Sequence, residues 1–98
     1  MHPKPRHPGE ILLEELMKVG LTQADFSRLT GIGAMRLSLV VRGARPVTPE
    51  LALYLGRVLG RQARYWMGLQ SRFDLEKARI QLRPRLRRLH RIFPHTYR

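Results

Sequence analysis

The stretch LTQADFSRLTGIGAMRLSLVVRG, from Leu21 to Gly43, decides the fold of this chain. Thr22 stands where a hydroxyl can cap a helix, and Asp25 follows three residues later, in the pattern of a capping box. Gly31 separates this first helical segment from a second one, which ends at Gly43. Because glycine adopts the positive φ that a tight turn needs, the stretch predicts two short helices joined by a glycine turn.

Apolar residues at helical spacing predict how the two helices pack in such a helix-turn-helix. The expected shared core consists of Ala24, Phe26, Leu29, Ile32, Leu37, Val40 and Val41. With its inner face assigned in this way, the second helix presents Ala34, Met35, Arg36, Ser38, Leu39 and Arg42 outward. Side chains in these positions are the ones that reach the major groove of DNA in helix-turn-helix proteins.

The length and net charge of the chain limit which functions are possible. The chain has 98 residues, enough for a single modest core, and 19 Lys and Arg against 7 Asp and Glu give it a net charge of +12. A chain with this excess is expected to bind polyanions. Arginine makes up most of the basic residues and suits phosphates and base edges, although a GC-rich genome would produce the same bias.

Helix start and stop signals predict three further helices. The first helix begins at Pro8, where His7 helps to start it, and is followed by glutamates that suit a helix N-terminus. Thr48-Pro49-Glu50 is a strong start signal for the fourth helix, which is expected to stop at Gly60. A fifth helix is predicted from about Arg64 to Leu82. The predicted fold is therefore all-α, with five helices.

The C-terminal segment differs in composition from the rest. Pro84 is expected to interrupt the fifth helix, so we divide the chain into a domain of residues 1–82 and a basic extension of residues 83–98. Residues 79–98 hold seven basic residues and no acidic one. The extension could be a solvated disordered arm, a second nucleic-acid contact or a helix that docks on a partner. Docking is favoured because an apolar stripe would form from Leu82, Leu86, Leu89 and Phe93.

Other function classes are disfavoured. The chain has no cysteine, and no nucleophile, base and orienting group occur at a recognisable spacing, so we expect neither an enzyme nor a cofactor. A metal site is not expected from the histidines, which lie near the termini: His2, His7, His90 and His95. The sequence shows no long apolar run, and glutamates interrupt the N-terminal apolar stretch, so we expect a cytoplasmic protein that does not enter membranes.

Short motifs along about three quarters of the chain resemble one known family. The matching segments are HPGEIL at 7–12, LTQ at 21–23, GI at 31–32, VVRG at 40–43, RPVTPE at 45–50, LALYL at 51–55, LG at 59–60, YWMGLQ at 65–70 and FDL at 73–75. The chain resembles the HigA-type antitoxins, also called VapI-like, within the Xre/Cro group of repressors. The opening HPGEIL and the later WMGLQ-x-x-FDL are the specific part, because generic Xre domains usually lack both.

The resemblance implies a lambda-repressor-like domain that binds a palindromic operator as a dimer, represses its own operon, and pairs with a HigB-type toxin, a RelE-like ribonuclease. Gln23 matches the family's phosphate-contacting glutamine, and Ala34, Met35 and Leu39 fall where relatives place base-reading side chains. The full set of expected DNA-binding residues is Gln23, Gly33, Ala34, Met35, Arg36, Ser38, Leu39, Arg42 and Arg45. Helical spacing places Trp66 and Phe73 in the core or at a dimer interface. Because the apolar face of the fifth helix exceeds what a core of this size can absorb, we expect Trp66, Leu69 and Phe73 at the dimer interface.

The base-reading positions depart from the family's pattern. Relatives commonly carry Gln, Arg, Ser or Asn there, whereas this chain has three apolar side chains, which lack bidentate contacts worth ~1–3 kcal/mol of discrimination each. Exposed Met35 and Leu39 are also compatible with a protein-contact patch. Alternatives to the repressor are therefore an antitoxin with weak or no specific DNA binding, an orphan regulator of the Xre family, and a general nucleic-acid binder that relies on the basic extension.

Overall fold

A computed structural model of the chain describes residues 4–92, and within them it contains five α-helices and no strand. The helices are α1 (Pro8–Lys18), α2 (Gln23–Thr30), α3 (Ala34–Val41), α4 (Pro49–Leu59) and α5 (Ala63–Arg87). The predicted all-α, five-helix architecture is confirmed. The expectations for His2, Phe93 and His95 lie outside the described residues.

Local capping explains where the helices begin. At the start of α2, the Asp25 backbone N–H donates to Thr22 Oγ1 (3.0 Å) and the Thr22 backbone N–H donates to Asp25 Oδ2 (2.9 Å). This reciprocal pair is the predicted capping box, and the hydrogen bonds from Thr22 lower the pKa of Asp25 below its usual value. At the start of α4, Thr48 Oγ1 accepts a hydrogen bond from the Leu51 N–H (3.2 Å), as its start signal predicts.

The core lies where α1, α3, α4 and α5 meet, with α2 packed against α3. Its buried apolar residues are Leu12, Leu16, Phe26, Ile32, Leu37, Val40, Val47, Leu51, Ala52, Leu55 and Trp66. The prediction is wrong for two residues of the shared core: Ala24 is exposed, and Leu29 is 65% exposed on the outer side of α2. Helix α2 packs mainly against α3, and Phe26 is its only buried residue.

The approach of α1 to α3 depends on Gly9, in the HPGEIL motif. A Cβ atom on this residue would lie 1.9 Å from the backbone oxygen of Val40 and 3.0 Å from the Cα of Val41. No side chain fits at such a distance, so only glycine lets the start of α1 contact the end of α3. The motif is therefore explained by helix packing.

The fifth helix is longer than predicted. It continues through Pro84 to Arg87, so the expected interruption is wrong and residue 83 begins no separate element. Proline removes one backbone donor, but residues 79–92 are all exposed, and water can bond the carbonyl that this donor would have reached. The last part of α5 therefore carries arginines and leucines together into solvent.

Candidate nucleic-acid interface

Hydrogen bonds within the turn fix the relative placement of α2 and α3. Gly31 has a φ of 79°, in the left-handed region that favours glycine. The Ser27 hydroxyl donates to the Ile32 carbonyl oxygen (2.5 Å), and the Thr30 hydroxyl donates to the Phe26 carbonyl oxygen (2.8 Å). These contacts close the turn, so the outer face of α3 is held rigidly relative to α2. Gln23, the expected phosphate contact, is the first residue of α2.

The two sides of α3 differ in exposure, most clearly in its first turn. Leu37 and Val40 are fully buried and anchor the helix to the core. On the outer side Ala34 is exposed and Met35 is 72% exposed, whereas Ser38 and Leu39 are half-buried. Gly33 precedes the helix and has no side chain to cap it. The outward placement of these residues agrees with the assignment made from periodicity.

Arg36 is not directed away from the protein. Its guanidinium group forms an ion pair with Glu50 (2.9 Å) and donates a hydrogen bond to the hydroxyl of Thr48 (3.1 Å) at the start of α4. The Glu50 side chain is largely exposed and that of Arg36 is 39% exposed, so water screens the ion pair and it contributes little to stability. Its consequence is positional, because a side chain expected to contact DNA lies against α4 instead.

Two arginines beside the end of α3 remain available. Arg42 ends the helix and Arg45 follows in the loop, both exposed, and within residues 4–92 neither forms an ion pair with a carboxylate. The backbone holds this loop, because the Leu39 carbonyl oxygen accepts hydrogen bonds from the N–H groups of Ala44 (2.8 Å) and Arg45 (3.3 Å). Unpaired arginines on an ordered loop can approach phosphates without first breaking an ion pair.

Gln70 of α5 holds the loop before α4 by a hydrogen bond, a role that the sequence did not predict. Its Oε1 accepts a hydrogen bond from the backbone N–H of Val47 (2.7 Å), and its Nε2 donates to Asp74 Oδ1 (2.9 Å). The side chain is buried, as is Val47. A polar residue one helical turn after Trp66, on the inner side of α5, was the available signal.

His7 connects the same region to α1. Its Nδ1 accepts a hydrogen bond from the Gly9 N–H (2.9 Å), which confirms that it starts α1. The imidazole is buried and stands edge-on to the ring of Phe73, with centroids 4.9 Å apart. Burial lowers the pKa of His7, although the nearby carboxylates and the carbonyl of Arg45 raise it in part. A neutral ring is required, because Nδ1 must keep its lone pair to cap the helix.

The predicted dimer residues of α5 are placed mainly inside the chain. Trp66 has no exposed surface, and an indole that is wholly buried in its own chain cannot contact a second one, so we revise its assignment from the dimer interface to the core. Phe73 is half-buried against His7, and Leu69 is half-buried against the core. The sequence pattern could not separate the two sides of α5, because apolar residues occur on both.

Comparison with known proteins identifies the fold. The chain is 37% identical over 73 residues to virulence-associated protein I of Dichelobacter nodosus, over 74% of this chain and 68% of that protein. PA4674 of Pseudomonas aeruginosa, solved in complex with its operator DNA, has a TM-score of 0.86 and 30% identity over 93% of this chain and 97% of its own. Pseudomonas aeruginosa antitoxin HigA, solved with the higBA promoter, has a TM-score of 0.84 and 31% identity over 91% and 99%. The chain belongs to the HigA family of helix-turn-helix antitoxins.

No model of a protein family matches this HigA-type chain, so the assignment rests on these relatives and structures. Within residues 4–92 no group of three His, Cys, Asp or Glu side chains could hold a metal ion. No helix among these residues is long and apolar enough to cross a membrane. At the candidate DNA-binding surface of this HigA-type chain, an apolar start of α3 is followed by Arg42 and Arg45, which form no ion pair within residues 4–92.

Proposed function

We propose that this chain is a DNA-binding antitoxin that represses its own operon, with α3 in the major groove and α2 across the backbone. The observation that carries the proposal is the outer face of α3, which is exposed, held rigidly by the turn, and bordered by Arg42 and Arg45. No carboxylate within the described residues pairs with either arginine. Two similar structures were solved with operator or promoter DNA, which supports DNA binding by this chain.

The family supports a second task, which is neutralising a HigB/RelE-like ribonuclease toxin in the cytoplasm. In this proposal the chain itself is a binding protein and carries out no reaction. Its similarity to an antitoxin structure supports the pairing. Coexpression with the neighbouring small open reading frame tests it, because growth arrest by that product should be relieved by this chain. Persistent arrest despite a folded chain would instead indicate an orphan regulator.

A palindromic operator requires a dimer, and the structure suggests a revised interface for it. Leu75, Leu82 and Leu89 are exposed and seven residues apart, so Leu75 and Leu82 share the side of α5 that faces solvent. This spacing is typical of a helix that pairs with a second copy of itself. We assign the dimer contact to this stripe; Leu69 and Phe73 lie on other sides of α5, against the core and His7, and are not part of it.

The stripe can be tested by charge substitution. Leu75→Glu with Leu82→Glu should convert the dimer into a monomer, as measured by sedimentation equilibrium. Leu53→Glu is the matched control, since Leu53 is a leucine of α4 that is more exposed than Leu75 or Leu82, and it should leave the dimer intact. A double variant of α5 that still sediments as a dimer would contradict the assignment.

DNA binding is tested by titrating the DNA immediately upstream of the chain's own gene, against unrelated DNA, at several salt concentrations. Arg42→Ala with Arg45→Ala should weaken binding and lower the salt slope by roughly one per lost phosphate contact. Arg57→Ala with Arg64→Ala is the matched control, since these arginines are also exposed and form no ion pair within residues 4–92. Equal affinity for both DNAs, or affinity independent of salt, would refute the repressor.

The exposed Met35 favours one alternative from a different class, a protein-interaction antitoxin that binds DNA weakly. In that case toxin neutralisation should survive the loss of Arg42 and Arg45, while the titration shows no preference for the upstream DNA. A Met35→Glu variant would then fail to neutralise the toxin. If α3 instead serves DNA, the same variant keeps neutralisation and loses repression.

A further inference from the structure

The first turn of α3 begins with two apolar residues, Ala34 and Met35, and its one polar residue, Arg36, is held against α4. Ala34 is exposed and Met35 is 72% exposed, and the turn contains no acidic residue. In helix-turn-helix proteins the N-terminal residues of the second helix contact base edges. The side chains best placed for base contacts therefore have no hydrogen-bond donor or acceptor of ordinary strength.

Polar neighbours do not replace them in this structure. Arg36 is engaged by Glu50 and Thr48 at the start of α4. Ser38 is half-buried, and Arg42 lies seven residues beyond Met35, about 10 Å further along the helix axis. With Arg36 held in this position, Ala34 and Met35 can read a base only by shape and apolar contact.

One chemical group in the major groove suits an apolar reader. The C5-methyl group of thymine is the apolar feature of that groove, and 5-methylcytosine carries the same group at the same carbon. Methionine is unbranched and flexible, so its thioether can adjust to a methyl group beside the helix. We infer that Met35, with Ala34 beside it, determines specificity by contacting a pyrimidine C5-methyl group in each half-site.

This inference rests on the proposed DNA binding, and it predicts how much the affinity changes when the methyl groups are removed. Burying one methyl group against an apolar side chain corresponds to about a fourfold change in affinity. Two half-sites of a dimer double the free energy, so removing both methyl groups should weaken binding by roughly fifteenfold. An effect of this size is readily measured by fluorescence anisotropy.

The experiment compares three forms of the same upstream DNA, prepared by polymerase chain reaction. One is ordinary DNA, one has deoxyuridine in place of thymidine, and one has 5-methylcytosine in place of cytosine. Weaker binding to the deoxyuridine form identifies a thymine methyl group as the contact, whereas tighter binding to the 5-methylcytosine form identifies a methylated cytosine. Equal affinity for all three forms overturns the inference.

Two protein variants separate a direct contact from an effect on DNA shape. Met35→Ala should weaken binding to ordinary DNA and abolish most of the difference between the three forms. Met17→Ala is the matched control, because Met17 of α1 is 71% exposed, and it should preserve the full difference. If Met35→Ala also preserves it, the methyl effect belongs to DNA shape and the inference is overturned.

Failure of the inference and failure of the proposed function give different results. A chain that prefers its upstream DNA over unrelated DNA, yet binds all three forms equally, keeps the proposed function and loses the inference. A chain without that preference in any of the three forms refutes both.

Discussion

Replacing Gln70 by methionine removes two hydrogen bonds while keeping the length of the side chain. In the structure Gln70 Oε1 accepts from the buried N–H of Val47 (2.7 Å), and Nε2 donates to Asp74 (2.9 Å). The bond to Val47 joins α5 to the loop that carries Arg45, across 23 residues of sequence. We expect Gln70→Met to destabilise the whole fold and to loosen that loop.

The size of the effect follows from burial. The Val47 N–H would be left buried without a partner, which costs about 1–3 kcal/mol. Losing the bond to Asp74 costs little, because that carboxylate is exposed and water replaces its partner. For a domain of this size each kcal/mol lowers Tm by roughly 4–8 °C, so the expected fall is about 4–24 °C.

Thermal unfolding followed by circular dichroism measures this, at one protein concentration because a dimer's Tm depends on it. Gln81→Met is the matched control, since Gln81 lies on the same helix but is exposed, and its effect should stay within about 0.5 kcal/mol. If Gln70→Met unfolds at the same temperature as Gln81→Met, the hydrogen bond to the loop does not stabilise the protein and the reasoning is wrong.

Three further predictions follow from single contacts. Gly9→Ala should destabilise the chain by about 1–3 kcal/mol or more in urea unfolding, because the new Cβ would collide with the backbone of α3. Gly68→Ala is the control: its Cβ would meet no atom within 4 Å, so the same measurement should find it neutral or stabilising. Burial lowers the pKa of His7, so the unfolded state binds more protons than the folded state. The free energy of unfolding should therefore be greatest above about pH 6.5 and fall as the pH drops through the lowered pKa. A His7→Asn chain should lose this dependence in unfolding curves taken at several pH values, and an unchanged dependence would assign it to other groups. Glu50→Gln should tighten DNA binding and steepen the dependence of affinity on salt, because the substitution frees Arg36 and removes a negative charge near α3. An unaltered salt titration would show that Arg36 stays away from DNA.

Features governed by near neighbours were predictable from the sequence. The capping box of α2, the start of α4 at Thr48-Pro49 and the glycine turn at Gly31 each depend on residues within a few positions of one another. The His7 cap of α1 belongs to the same class. The helices therefore begin close to where the sequence placed them, and the same segments carried the resemblance to the family.

Features governed by the other helices were predicted less well. Periodicity placed Leu29 in the core and Trp66 at a dimer interface, whereas the structure exposes the first and buries the second. Proline rules predicted a break at Pro84, and α5 continues because its exposed backbone can be solvated there. In each case the local signal was present, but the environment around the residue determined the outcome.

The sequence by itself determined the helix-turn-helix, its caps and its family, because these depend on short-range hydrogen bonds and on helical spacing. Only the tertiary structure decided which side chains surround the DNA-facing surface. It turned Arg36 toward Glu50, fourteen residues away, and joined Gln70 to Val47. Such contacts form when all five helices pack together, so they leave no pattern between neighbouring residues. The apolar start of α3 was visible in the sequence, and the structure showed that nearby polar side chains do not compensate for it.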